Sequence, residues 1–235
     1  MKPLLALLTF CAVAATAQSQ SHIVRPMALH QTRYRLRAGE STAIVAPRET
    51  LDFVRDAKSR TARIVGNDHA RFVVGTRRRS NDVVLAASLT AQPGEYQVEI
   101  SALNAAGEGR YATVDVVLDP PETVPSTATK PPVVLLDGWS INFSNSNGYC
   151  STDTLDPTAG TFGYLPTVLQ GDGVPVVYLF DNCVECPDCY IEDIGNVLPQ
   201  VLSQIRYDNG SLVPQVDLVG ESGPQSQDHF SAAIS

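Results

Sequence analysis

Polar and apolar residues alternate in Glu95-Tyr96-Gln97-Val98-Glu99-Ile100-Ser101-Ala102. They do so again where Tyr111, Thr113 and Asp115 interleave with Ala112, Val114 and Val116. A period of two is that of a strand with one face in a core and the other in water. The turn-rich Asn104-Ala105-Ala106-Gly107-Glu108-Gly109 between the two runs predicts a hairpin. Upstream, 41–46, 62–65, 70–74 and 83–89 read as further short strands, separated by turn residues such as Gly66-Asn67-Asp68 and Arg79-Ser80-Asn81-Asp82. Short strands at such spacing predict an all-β sandwich over 22–119.

The pattern changes after Asp119. Residues 120–132 hold five prolines and few apolar side chains, which predicts a stiff linker. Beyond it, Val133-Val134-Leu135-Leu136 and 174–180 are continuous apolar runs, as expected of parallel strands covered on both faces. Ile191, Ile194, Val197, Val201 and Ile205 fall at helical spacing before a third run, 216–219, and Pro199 should kink or restart that helix. Strand, crossover, strand, helix, strand is the opening of a parallel α/β sheet, assigned to 133–235.

Charge divides the chain at the same place. Residues 1–130 carry 16 of the 17 basic and 12 of the 25 acidic residues, whereas 131–235 carry one base, Arg206, and 13 acids. Surfaces so different predict two folding units, and the acidic one would repel nucleic acid or an anionic membrane. Arg33, Arg35, Arg37 and the run 77–79 are read as solvated strand and turn residues. At the amino terminus, Lys2, the apolar run 4–14 and the small-x-small Ala15-Thr16-Ala17 predict a signal peptide over 1–17. A secreted or periplasmic protein without a transmembrane segment is expected.

The chemistry-bearing stretch is Val216-Asp217-Leu218-Val219-Gly220-Glu221-Ser222-Gly223-Pro224. A strand running into Gly-x-Ser-x sets the serine on a tight turn, with its hydroxyl exposed and the next backbone N–H directed to the same point. Acyl transfer requires both of its nucleophile. Proline replaces the closing glycine of G-x-S-x-G. A triad in this order needs an acid and then a histidine, but only Asp228 and His229 follow, too near in sequence to reach around to the hydroxyl. Four cysteines follow the leader: Cys150, Cys183, Cys186 and Cys189. In an oxidising compartment they predict disulfides, with three connectivities open. Tetrahedral zinc is the competing use of the thiols, and nearby acids could recruit calcium; no metal or cofactor is assigned.

Two resemblances extend this reading. Residues 93–107 resemble the last hairpin of fibronectin type III and related immunoglobulin-like domains. Residues 131–223 resemble the beginning of an α/β hydrolase of the bacterial lipase and esterase type. Pro132-Val133-Val134-Leu135-Leu136-Asp137-Gly138-Trp139 stands for the first core strand and its His-Gly-x end, with Asp137 in place of histidine, and 216–223 stands for the nucleophile elbow. The resemblance implies Ser222 as nucleophile, the N–H groups of Gly223 and Trp139 as oxyanion donors, and an ester or lipid substrate. The expectation is a secreted carboxylic-ester hydrolase shortened after its elbow and inactive as it stands. The alternative is a non-catalytic secreted binding or adhesion protein in which the sandwich does the work, its protein or glycan partner not readable.

Overall fold

The computed structural model describes residues 24–66, 71–77, 80–137, 152–158, 160–186 and 191–220. The leader and Trp139, Cys150, Cys189, Ser222 and Gly223 lie outside them.

The first half runs β1 (Val24–Pro26), β2 (Arg33–Arg37), β3 (Ser41–Ala43), α1 (Arg48–Arg55), β4 (Ser59–Ile64), β5 (Phe72–Thr76), β6 (Val83–Ala87), β7 (Gly94–Leu103) and β8 (Gly109–Asp119). The alternating segments form the antiparallel hairpin β7–β8, in register from Gly94↔Leu118 to Leu103↔Gly109. β4 adds antiparallel to β7, and β1 and β2 add parallel to β8, giving a five-stranded mixed sheet. β3, β6 and β5 form a second, antiparallel sheet. Val98, Ile100, Val114 and Val116 of the first sheet share one core with Phe72, Val74 and Leu85 of the second, so the two are the layers of a sandwich.

One feature of this half differs from the periodicity reading. Residues 48–55 form a helix where no element is legible from alternation. Pro47 precedes its first residue, Glu49 lies in its first turn and Arg55 in its last, and only Thr50 and Val54 are fully buried. The arginines of β2 are paired: Arg33 with Glu95 at 3.8 Å, Arg35 with Asp119 at 2.7 Å, Arg37 with Glu122 at 3.8 Å. That stripe is thus met by acids of neighbouring segments.

The second half runs β9 (Val133–Leu136), a 3-10 turn (Asp153–Leu155), α2 (Leu165–Gly171), β10 (Val177–Phe180), α3 (Asn182–Glu185), α4 (Ile191–Leu202) and β11 (Asp217–Gly220). The three strands are parallel, in the order β10-β9-β11, with Tyr178, Val134 and Leu218 at one level. α4 continues through Pro199 as one helix. Its Val197, Val201 and Ile205, just beyond it, pack with Val134, Tyr178 and Phe180. The other face of β10 offers Leu179 to a cluster containing Ala86 of β6 and Val184 of α3. β9 and β10, apolar on both faces, therefore meet cover on both faces.

The proline-rich segment is docked along the second half. Val124 is wholly buried and bridges to Tyr207, the Tyr178 hydroxyl donates to Glu122 O at 2.6 Å, and Lys130 Nζ donates to Asp172 O. The halves also touch directly, for Leu89 of the sandwich belongs to the core around α4, and Thr152 N donates to Thr76 O at 3.3 Å. Among the described residues no helix is long and apolar enough to cross a membrane.

Candidate functional site

In an open parallel sheet the loops that follow the strands emerge together at its carboxyl edge, where such folds build their sites. Here Leu136, Phe180 and Gly220 are the last registered residues of β9, β10 and β11. Asp137 and Asp181 come next on two of the strands, and Ser222 stands two residues past the end of the third. The backbone remains laced beyond the ladder. Asp137 N–H donates to Phe180 O at 3.0 Å, and Asn182 Nδ2 donates to Asp137 O at 3.0 Å.

Asp181 is completely buried. Its Oδ1 accepts from Cys183 N–H at 2.9 Å and caps α3, while Oδ2 is buried without a hydrogen-bond partner, as is Oδ1 of Asn182. Burial, and then the negative fields of Asp137 and Glu185, hold the Asp181 carboxyl well above the usual carboxylate range, against the pull of the Cys183 and Val184 amides. The edge therefore carries a carboxyl biased toward its neutral form, which can donate a proton as well as accept a hydrogen bond. Asp137 is only partly buried, and its field opposes ionisation of Asp181.

Glu185 ends α3 and is 1% exposed. Its side chain crosses into the sandwich, where Oε1 accepts from Leu89 N–H and Oε2 from Ser88 Oγ, both at 2.7 Å. Arg71 Nη1 donates to the Glu185 main-chain oxygen at 2.7 Å. Burial raises this carboxyl to about 7, against its hydrogen bonds from Leu89 and Ser88 and the nearby Arg71 charge. None of these sandwich partners is visible as a site residue in the sequence. The signal present is Ser88-x-Thr90 directly after the apolar run 83–87, polar side chains where the strand text ends.

Cys183 and Cys186 flank Glu185; Cys183 is buried, Cys186 is half-buried, and both are disulfide-bonded. Among the described residues no three His, Cys, Asp or Glu side chains are grouped as a metal ion would require. The one described histidine, His30, is an exposed residue before β2.

No protein-family profile matches the chain, and no curated protein matches it. Among solved structures, one described as a GspB Siglec domain is similar over 47% of this chain, at 14% sequence identity and a TM-score of 0.26. The chain spans 64% of that domain, just under two thirds of its length. A likeness at that level assigns neither family nor fold, and the architecture rests on the sheets themselves.

Proposed function

We propose that the chain is built as a secreted serine ester hydrolase, a sandwich followed by the nucleophile-bearing portion of an α/β-hydrolase-like sheet. The observation that carries this reading is a register. Gly220 of β11 is paired with Leu136 of β9. Counted along the chain, Ser222 is as far beyond Gly220 as Gly138 is beyond Leu136, and Gly223 matches Trp139 in the same way. An oxyanion hole requires two N–H groups that reach one carbonyl oxygen, and we assign them to Gly223 and Trp139.

In the reaction, Ser222 Oγ attacks the ester carbonyl as its proton passes to a base. The tetrahedral oxyanion collapses with loss of the alcohol, which takes that proton, and water then hydrolyses the acyl-serine. The base and its acid are not among the described residues at this edge. The secreted location goes with disulfides linking Cys150 to the 183–189 loop, and the oxidised state of Cys183 and Cys186 supports it.

The test is phosphonylation by a fluorophosphonate, in which serine oxygen displaces fluoride, read by mass spectrometry of the Ser222 peptide. Added imidazole supplies a base. Ser222 should label faster than the exposed Ser80 and Ser126, the rate should rise with imidazole, and Ser222→Ala should abolish the labelled peptide. Labelling of Ser222 no faster than those surface serines would overturn the assignment and favour a non-catalytic binding protein carried by the sandwich.

A further inference from the structure

We infer that Glu185, Ser88 and Thr90 form a proton-operated joint between the sandwich and the parallel-sheet unit, closed when the carboxyl is neutral and weakened when it ionises. Three observations carry this. The carboxyl belongs to one half, yet both of its oxygens are bonded to the other, and it is excluded from water. The Ser88 hydroxyl that meets it lies 2.7 Å from Thr90 Oγ1, with either atom able to donate, and also accepts from Thr90 N–H at 3.0 Å. Thr90 is half-buried, so the hydroxyl chain runs from the carboxyl toward the surface.

That chain serves both protonation states with the same heavy-atom positions. Ionised, Glu185 Oε2 accepts from Ser88 Oγ, which accepts from Thr90 Oγ1. Neutral, the carboxyl donates to Ser88 Oγ, which donates to Thr90 Oγ1, while the other oxygen still accepts from Leu89 N–H. The proton can exchange with solvent by reversal of two hydroxyls, without separation of the halves.

The groups facing the carboxyl set the sense of the response. Arg71, preceding β5, favours the ionised form; Asp181, at the cap of α3, and Glu185 oppose one another's ionisation. The 88–90 turn brings no charge, and Cys183 and Cys186 are disulfide-bonded and do not titrate. Desolvation dominates and raises the group from 4.5 to about 7. Between those values the folded chain holds more protons than the unfolded one. Stability is therefore full below the lower value and lost as pH rises through the upper. The displacement corresponds to roughly a 300-fold change in the unfolding equilibrium constant.

The experiment uses the full chain, by urea unfolding at pH 5 and pH 8 and by amide exchange of Leu89 corrected for its intrinsic pH dependence. Glu185→Gln keeps an acceptor for Leu89 and a donor for Ser88 but carries no titrating proton. Wild type should lose about two orders of magnitude more in its folding equilibrium between the two pH values than Glu185→Gln, and Leu89 protection should fall in wild type alone. Because the Glu185 charge itself shifts Asp181, the comparison is also made in an Asp181→Asn background, where that titration is absent. If Glu185→Gln does not fold, Ser88→Ala should move the midpoint of the pH response upward, because the ionised form loses a donor. Equal pH responses of wild type and Glu185→Gln, unchanged Leu89 protection in wild type, or a Ser88→Ala midpoint that does not rise would each overturn the joint.

Discussion

Gly75 on β5 has no side chain because Thr152, from the second half, occupies the space beside it. A Cβ built on Gly75 would meet the Thr152 methyl well inside contact distance, with Oγ1 at 3.1 Å and Cβ at 3.3 Å. Gly75→Ala therefore forces the Thr152 side chain to move, and Thr152 is fully buried. Overpacking of this kind costs roughly 1–3 kcal/mol, against a gain of about 0.4–1 kcal/mol from a less flexible unfolded chain. The second substitution decides the matter. Thr152 Oγ1 is buried with no hydrogen-bond partner, so Thr152→Ala removes an unsatisfied hydroxyl along with the methyl and should be nearly neutral alone. In the Thr152→Ala background only the Cβ contact at 3.3 Å remains, so most of the cost of the alanine at 75 should disappear. With a urea slope of about 2 kcal/mol/M, Gly75→Ala alone should lower the unfolding midpoint by up to about 1.3 M, and the double variant should recover most of it. Strict additivity in this double-mutant cycle would refute the packing of Thr152 against β5.

Two further outcomes follow from the docked segment and the buried acid. Val124→Ala should destabilise the full chain by roughly 1–3 kcal/mol in urea unfolding, as a core truncation does; a change within a few tenths of a kcal/mol would make 120–132 a free linker. Asp181→Asn keeps an oxygen to cap α3 but removes a carboxyl raised by burial and by Asp137. Its thermal midpoint should therefore fall less than that of wild type as pH rises from the ordinary carboxyl range through neutrality, and parallel curves would contradict the burial of that charge.

What the sequence made legible was decided by how local the cause is. The β7–β8 hairpin and the three parallel strands are written in uninterrupted runs of period two or of continuous apolar residues, because each such strand meets the same surroundings along its length. α1 was not legible, since eight residues with two fully buried positions give too few turns for a period, and α3 is only four residues long. Of the kink or fresh start that Pro199 signalled, the fresh start did not occur: the segment stays helical, with Val197 and Val201 on either side of it held in the core. The carboxyl edge was legible at Asp137, which directly follows an apolar strand. The contact of Glu185 with Ser88 and Leu89 was not, because nearly a hundred residues separate the partners and nothing in Cys-Val-Glu-Cys distinguishes a buried acid from a solvated one.

The docked proline-rich segment limits how this protein can be recombined. A tether tolerates exchange of whatever lies before it, but residues 122–128 act as a strap that completes the second half: Val124 lies in its core, Asp208 N–H donates to Val124 O at 2.9 Å, and Ser126 N–H donates to Asp208 at 3.1 Å. A chimera that joins a foreign amino-terminal module at Pro131 would leave that core open. One joined between Asp119 and Glu122 would carry the strap with it, so the seam at which this chain can be cut and rejoined lies at the end of β8 and not at the last proline.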